Sequence, residues 1–343
     1  MRIILFIISE IYGTIILFRN LLFDHGILKS TSYKTPIICV GNLSMGGTGK
    51  TPHIMFIAKL LSNQYKVGIL SRGYGRKSSG FSYVELDSPA SKIGDEPLQI
   101  KQNCPYCIMA VNEDRNIGIK KIISDHPKID VILLDDGFQH RKIKAGLNIL
   151  VTPFYYPYTK NKLAPLGTLR EHINQAKRAD IILISNTPEK TKQDEKNRIL
   201  KKLNLMQHQA EYFSSVKYQK YKSLKDNTEL KNEHEYSITL VCGIANPDPL
   251  VDHLQSQGKE INLIKFADHY NYTLKDIEKI LSVHKHNKST KKLILTTQKD
   301  AVKLKRFLPN LNQEYIYYIP IKVVLNKNDK FEKELLNYVK RNK

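Results

Sequence analysis

The 343-residue sequence predicts an α/β fold, in which a mainly parallel sheet carries helices on both faces and a second, smaller α/β domain follows. Three observations predict it. Short apolar runs, typical of strands that are buried on both faces, alternate with helix-like segments. The length suits two domains of roughly 100–200 residues each. A highly charged, helix-like stretch at 188–203 separates two sets of these alternating elements.

The first α/β domain is predicted to span residues 29–187. Buried strands are expected where fully apolar runs occur, at 37–40, 67–70, 131–134, 147–151 and 181–184. Helices are expected at 52–62 and 112–125, where apolar residues recur with helical spacing. Strands that alternate with helices in this way form parallel sheets.

The second α/β domain is predicted to span residues 188–343. Strands are expected at 238–242, 262–266, 293–296 and 315–321, and helices at 249–255, at 274–283, from Lys299 and from Phe331. We expect this domain to close the active-site cleft over the substrate and to exclude water from it.

The N-terminal segment, residues 1–28, is predicted to be an amphipathic helix at a membrane interface. Its apolar run is interrupted by charges at Arg2, Glu10 and Arg19, so neither a cleaved signal peptide nor a spanning helix is expected. On a helical wheel, Arg2, Ser9, Gly13 and Asn20 form a polar stripe, and most of the remaining circumference is apolar. Such a helix suits the bilayer interface. Packing against the protein's own core is the alternative.

The net charge of +21 indicates an anionic partner. Nucleic acid is not expected, because there is no zinc-finger spacing and no aromatic-rich RNA-binding signature. An anionic membrane surface and a phosphorylated substrate remain. The pair Cys104 and Cys107 has the spacing of a redox motif, but it follows a helix-like stretch instead of opening one, and no second pair offers a zinc site. A reducing cytoplasm is therefore expected.

A phosphate-binding P-loop is predicted where the first strand ends and the next helix begins. Its glycines let the backbone approach phosphate oxygens, Lys50 would reach the β and γ phosphates, and Thr51 would bind Mg²⁺. The first glycine of the usual pattern is replaced by Ser44. The predicted ATP-binding residues are Ser44, Met45, Gly46, Gly47, Thr48, Gly49, Lys50 and Thr51.

A Walker B element is predicted at the end of the strand at 131–134. This apolar run ends in two acids, Asp135 and Asp136, which are suited to bind Mg²⁺ directly or through water. With Thr51, they are the predicted metal ligands. A simple Asp-Gly turn is the alternative interpretation.

Seven further segments identify a family. They are Leu70-Ser-Arg-Gly-Tyr-Gly-Arg76, Gly94-Asp-Glu-Pro97, Leu134-Asp-Asp-Gly-Phe-Gln-His-Arg141, Leu163-Ala-Pro-Leu-Gly-Thr-Leu-Arg-Glu171, Gly243-Ile-Ala-Asn-Pro247, Phe266-Ala-Asp-His-Tyr270 and Thr296-Thr-Gln-Lys-Asp-Ala-Val-Lys303. In this order they resemble the tetraacyldisaccharide 4′-kinases, the lipid A 4′-kinases of Gram-negative bacteria. The resemblance extends from the N-terminal helix to about Leu304.

The resemblance implies that ATP and Mg²⁺ are used to phosphorylate the 4′-hydroxyl of a lipid A disaccharide 1-phosphate precursor at the cytoplasmic face of the inner membrane. It places the base on Asp95, paired with His269, and makes Lys50 and Asp136 further catalytic residues. A helix cap is the alternative for Asp95, and an ordinary surface histidine is the alternative for His269. The substrate-binding residues that we predict are Arg72, Arg76, Gln139, Arg170 and Glu171, and a solvated loop is the alternative for Arg72 and Arg76.

Two departures from the family pattern are visible. Gln298 replaces a frequent Glu, and Ser185-Asn186 replaces Thr-Lys after the strand at 181–184; both are expected to affect peripheral contacts. Two other functions remain open. A partitioning-type ATPase would carry a lysine where this chain has Met45, and a nonenzymatic lipid- or nucleic-acid-binding protein would leave Lys50 and the two acids without a purpose.

Overall fold

The computed structural model describes residues 2–268, 270–311 and 315–343. These form two compact units. The first unit comprises Met1–Val216 together with Val323–Lys343, and the second comprises Lys217–Lys322.

The strands, in chain order, follow the apolar runs of the sequence. They are β1 (Ile37–Gly41), β2 (Val67–Ser71), β3 (Ser82–Tyr83), β4 (Ile108–Val111), β5 (Val131–Asp135), β6 (Leu147–Pro153), β7 (Ile181–Ser185), β8 (Ala210–Tyr218), β9 (Lys222–Ser223), β10 (Ser237–Cys242), β11 (Ile261–Lys265), β12 (Lys292–Thr297), β13 (Ile316–Ile319) and β14 (Ile321–Leu325).

The α-helices alternate with these strands. They are α1 (Arg2–Asp24), α2 (Lys50–Ser62), α3 (Ala90–Ile93), α4 (Asp95–Asn103), α5 (Arg115–Asp125), α6 (Gln193–Leu203), α7 (Asp248–Ser256), α8 (Leu274–His286), α9 (Gln298–Leu304) and α10 (Asn328–Asn342). Short 3₁₀ turns occur at Tyr158–Lys160, Ile173–Arg178, Glu233–Glu235 and Lys305–Asn310.

The first unit is built on a nine-stranded sheet with the order β14-β8-β7-β6-β1-β5-β2-β4-β3. The run from β8 to β4 is parallel, and β3 pairs with β4 in the antiparallel direction. The carboxyl ends of β1 and β5 are therefore neighbours at one edge of the sheet, where ligands of open α/β sheets bind.

Helices cover both faces of this sheet. On one face, Cys39 and Leu134 belong to a core cluster that includes Ile119 of α5 and Ile199 of α6. Helix α2 contacts β1, β2 and β5 and buries Ile54, Ile57 and Leu61. Since strand side chains alternate between faces, strands buried on both sides must be apolar throughout, as β1 is.

The second unit contains a five-stranded sheet with the order β11-β10-β12-β13-β9. The first three pairings are parallel, and β13 pairs with β9 in the antiparallel direction. The predicted α/β fold, with mainly parallel sheets, is confirmed in both units.

The boundaries of the two units differ from the predicted 29–187 and 188–343. Residues 188–216 belong to the first unit because α6 buries Ile199 and Leu203 in its core and β8, which the sequence did not predict, joins its sheet. The chain returns to the same unit along β14.

The C-terminal helix also packs on the first unit. Phe331 of α10 stacks on Phe56 of α2 with ring centroids 6.2 Å apart, and the hydroxyl of Tyr338 donates to the carbonyl of Ile37 at 3.0 Å.

Candidate active site

The predicted P-loop connects β1 to α2 at the carboxyl edge of the sheet. Gly49 precedes the helix with φ +87°, a left-handed conformation that glycine adopts without strain. Within the loop, the amide of Asn42 donates to the hydroxyl of Thr48 at 2.8 Å. Lys50 is the first residue of α2 and Thr51 the second, so both side chains start from the helix N-terminus, where phosphate binding is favoured.

The P-loop is held from behind by buried hydroxyl and imidazole groups. Ser185 Oγ at the end of β7 donates to the carbonyl of Thr48 at 2.7 Å. His53 Nδ1 lies 2.6 Å from the carbonyl of Gly49, and its Nε2 lies 2.8 Å from Ser214 Oγ. Burial lowers the pKa of His53 to about 4, so this imidazole is neutral. The replacement at Ser185 therefore lies directly behind the phosphate loop, and the expectation that it is peripheral was wrong.

A second loop runs along the P-loop and carries Arg170. Ser44 forms an antiparallel bridge with Leu169, and the backbone amide of Met45 donates to the carbonyl of Thr168 at 2.7 Å. The amide of Arg170 donates to the carbonyl of Leu43 at 2.7 Å. These backbone bonds fix Arg170 relative to the phosphate loop.

The carboxylate of Asp136 lies next to two positively charged side chains. Lys50 Nζ lies 3.6 Å from Asp136 Oδ1, and Arg170 Nη1 lies 2.8 Å from Asp136 Oδ2. Gln139 Oε1 also accepts from Arg170, at 3.3 Å, while its amide donates to the carbonyl of Asn42. Burial works to raise the pKa of Asp136, but Lys50 and Arg170 outweigh it, and this pKa lies below its ordinary value.

Asp135 is buried beside Asp136 and accepts a hydrogen bond from Ser71 Oγ at 2.9 Å. Burial, followed by the carboxylates of Glu96 and Asp136, raises the pKa of Asp135 to about 7. Asp136 Oδ1 is buried and accepts no hydrogen bond from the described residues. Carboxylate oxygens of this kind, with the hydroxyl of Thr51, are the hard donors that Mg²⁺ prefers.

Asp95 is the first residue of α4, and Gly94 occupies the N-cap position. Gly94 has φ +94° and ψ 151°, a conformation essentially restricted to glycine, and a Cβ there would meet the carbonyl of Tyr74 at 3.1 Å. The next residue, Glu96, acts on the pKa of Asp135, so this helix start lies on the Asp135 side of the site. Oδ2 of Asp95 is buried. The predicted partner, His269, lies outside the described residues.

The other predicted substrate residues differ in how far they remain available. Arg72 is exposed. Arg76 has a buried side chain that pairs with Glu113 and donates to the carbonyl of Gly80, so the structure does not bring it to Asp136. Glu171 is also buried, and its carboxylate accepts hydrogen bonds from Arg178 and from Asn20 of α1.

No sequence pattern pointed to Arg115, which lies at the start of α5. Its guanidinium donates to the carbonyls of Asn112 at 2.9 Å and Asp135 at 3.4 Å, and burial lowers its pKa to about 10. A basic residue at a helix start is usually solvated, so only the tertiary structure places this cation behind the acidic pair.

The chain is similar throughout its length to known kinases. Residues 1–340 match the family described as Tetraacyldisaccharide-1-P 4'-kinase. A tetraacyldisaccharide 4'-kinase of Bacteroides thetaiotaomicron is 41% identical over 355 residues, covering 98% of this chain and 93% of the relative. One of Flavobacterium johnsoniae is 40% identical over 347 residues, covering 100% and 98%.

A solved structure shares the fold. The crystal structure of LpxK from Aquifex aeolicus in complex with ATP has a TM-score of 0.77 and 30% identity, and the match covers 98% of this chain and 99% of that one. Family, relatives and fold agree along the entire sequence. The chain therefore belongs to the tetraacyldisaccharide-1-P 4'-kinase family.

Proposed function

We propose that the enzyme transfers the γ-phosphoryl group of ATP to the 4′-hydroxyl of a tetraacylated glucosamine disaccharide 1-phosphate, giving the bis-phosphorylated lipid A precursor. The observation that carries this proposal is the convergence of Lys50 and Arg170 on Asp136 beside the P-loop. Phosphoryl transfer depends on positioning and on neutralising negative charge, and this cluster offers both.

The P-loop backbone and Lys50 hold the β and γ phosphates in this proposal. Thr51, Asp135 and Asp136 would hold Mg²⁺, which neutralises phosphate charge when it is bound. Asp95 accepts the proton of the 4′-hydroxyl as the sugar oxygen forms a bond to the γ-phosphorus. The bond between that phosphorus and the β–γ bridging oxygen breaks, and ADP leaves with the electron pair.

Arg170 and Gln139 orient the acceptor beside Asp136, and exposed Arg72 is available to its phosphate. Arg76 and Glu171 stabilise the surrounding loops in this proposal and do not contact the substrate, because their charged groups already pair with Glu113 and Arg178. Release of Arg170 from Asp136 to a phosphate oxygen would exchange one anion for another, at little electrostatic cost.

We propose that α1 lies in the cytoplasmic leaflet of the inner membrane. This 23-residue helix is long and apolar enough to cross a membrane, but Ser9 and Asn20 are buried against the protein while most of its large apolar side chains face outward. The exposed residues are Ile3, Ile4, Phe6, Ile7, Ile8, Ile11, Ile15, Leu17, Phe18 and Leu21. One polar contact face and one wide apolar face suit an interfacial helix, and the net charge of +21 favours anionic lipid.

The decisive experiment is transfer of labelled γ-phosphate from Mg·ATP to tetraacyldisaccharide 1-phosphate in detergent micelles, with Asp95→Asn and the exposed-loop control Asp87→Asn. Asn has nearly the same shape as Asp, so Asp95→Asn removes the base while the first turn of α4, with Gly94 at its N-cap, keeps its packing. We expect transfer by the wild type and by Asp87→Asn, and a loss of roughly 10²-fold or more for Asp95→Asn.

Two results would count against parts of this proposal. Wild-type activity in Asp95→Asn would leave the kinase in place and return Asp95 to a structural role. An absence of transfer by a folded wild type that binds ATP would overturn the lipid kinase itself.

A further inference from the structure

The buried edge of α1 is polar. Its residues are Ser9, Tyr12, Arg19 and Asn20, which we call the polar edge. Tyr12 lies three residues after Ser9, and Arg19 and Asn20 lie seven and eight residues after Tyr12, so the four side chains share one side of the helix. Ser9 and Asn20 are 2% and 1% exposed, in a helix where six of the seven isoleucines are about half exposed or more and only Ile16 is less exposed. The helix thus turns the polar edge toward the protein, the reverse of a helix packed on a core.

The polar edge donates hydrogen bonds to backbone carbonyls of two loops. Tyr12 Oη donates to the carbonyl of Arg170 at 2.8 Å, and Arg19 Nη2 donates to the carbonyl of Gln139 at 2.6 Å. Ser9 Oγ donates to the carbonyl of Leu163 at 3.0 Å. These contacts satisfy loop carbonyls that would otherwise need other donors, and they fix the loop backbone without using the loop side chains.

The carbonyls of Arg170 and Gln139 belong to residues whose side chains contact each other beside Asp136. The guanidinium of Arg170 contacts Asp136, and the side-chain amide of Gln139 links Arg170 to Asn42 of the P-loop. A hydroxyl on α1 is therefore one residue away from the contact between Arg170 and Asp136. The guanidinium of Arg19 is connected to the same contact through Gln139, whose side chain accepts a hydrogen bond from Arg170.

A second set of contacts fastens the C-terminal half of α1 to the same loops. Arg141 donates to the carbonyl of Asn20 at 2.7 Å and pairs with Asp24 at 2.6 Å. The amide of Asn20 donates to Glu171, which also pairs with Arg178. Contacts in both directions between helix and loops make the connection stiff rather than incidental.

We propose that Tyr12 and Arg19 are positioning residues for phosphoryl transfer, and that the polar edge of α1 holds the loops of Arg170 and Gln139 in their working geometry. The helix would therefore bind the membrane with its apolar face and, with its polar edge, hold in place the loops that orient the acceptor in the active site. This inference rests on the proposed function, because it concerns the orientation of the acceptor beside Asp136. It differs from anchoring, since an anchor alone would need only the apolar face.

The experiment compares hydroxyl and charge deletions on α1 in the full chain. Tyr12→Phe removes only the hydroxyl, and Thr14→Val is its matched control because Thr14 Oγ1 donates within the helix, to Glu10, at 2.8 Å. Arg19→Gln removes a charge, and Arg2→Gln removes one from the exposed start of the same helix. Transfer kinetics are measured in nonionic micelles, and binding to anionic vesicles is measured by sedimentation.

We expect kcat to fall about 5-fold in Tyr12→Phe and about 10-fold or more in Arg19→Gln, the effects of losing one neutral and one charge-assisted hydrogen bond. The KM for ATP and the sedimented fraction should stay at wild-type values, and both controls should remain within about twofold in kcat, as expected of surface changes. Arg19→Lys, which keeps a charged donor, should recover part of the loss.

Wild-type kcat in both Tyr12→Phe and Arg19→Gln would overturn the inference, as would losses that match a drop in vesicle binding. These outcomes are distinct from failure of the proposed function, in which the wild type itself transfers no phosphate to the lipid acceptor.

Discussion

Asp136 has a strained backbone conformation, and its carboxylate contacts two positively charged side chains. Its φ is +52°, a left-handed conformation that aspartate tolerates better than most residues but still adopts at a cost. The turn carries the chain out of β5 and directs the carboxylate between Lys50 and Arg170. A cost of this kind is common at functional sites, where surrounding contacts maintain the geometry.

His140, in the loop that follows β5, makes the stability of the fold depend on pH. Burial, followed by the charges of Arg115 and Arg72, lowers the pKa of His140 to about 4, from 6.5 in the unfolded chain. Between these values the unfolded state binds more protons than the native state, so stability is complete above pH 6.5 and is lost as the pH falls toward 4.

We predict that lowering the pH from 7 to 5 costs the wild type about 1–2 kcal/mol more than it costs His140→Gln, because the variant has no proton to gain at this position. Urea unfolding of both proteins at the two pH values measures the difference. Equal losses in the two proteins would show that other groups control the acid sensitivity.

At the scale of elements, the P-loop depends on a strand that is two positions away in the sheet. β7 lies beyond β6 from β1, yet its last residue, Ser185, reaches the carbonyl of Thr48. Ser185 is fully buried, so solvent water does not reach its hydroxyl to replace this hydrogen bond. Removing a buried donor leaves the acceptor with its full desolvation cost.

We predict that Ser185→Ala raises the KM for ATP several-fold and lowers stability by about 1–3 kcal/mol, because the Thr48 carbonyl loses its donor. Ser185→Thr keeps a hydroxyl at this position and is the control. Urea unfolding and ATP titration of transfer test both variants. If Ser185→Ala matches the wild type in both measurements, the hydrogen bond has no part in shaping the phosphate loop.

For the molecule as a whole, the membrane-binding surface that we propose is the outward face of α1. Ile4, Ile11 and Ile15 are 62%, 56% and 61% exposed and lie on one side of the helix. Full burial of an isoleucine side chain contributes about 1.5–3 kcal/mol, so three of them would supply several kcal/mol of binding to a bilayer.

We predict that replacing these three isoleucines by glutamine weakens binding to anionic vesicles by about 10²-fold or more, while the polar edge stays intact. Vesicle sedimentation measures the effect, with Thr14→Val as the control. Deletion of residues 1–23 should also release the protein, but it removes the polar edge as well. Undiminished sedimentation of both the triple variant and the deletion would place the membrane-binding surface elsewhere.

Local patterns in the sequence were enough to predict the α/β class and the positions of most strands, and they also yield the prediction of the P-loop. These depend on local patterns: apolar runs for buried strands, and glycines with Lys50 and Thr51 at a strand–helix junction. The acids of the predicted Walker B element and the motif of Asp95 could be singled out for the same reason, because their residues are adjacent in the chain.

Features that depend on contacts between distant residues are visible only in the folded structure. It placed Arg115 behind Asp135, engaged Arg76 with Glu113, and brought Ser185 to the P-loop across 137 residues of sequence. It also returned the chain end to the first unit through β14 and α10. A hydrogen bond or an ion pair requires two groups within a few ångströms, and a single sequence specifies the groups but not which of them meet.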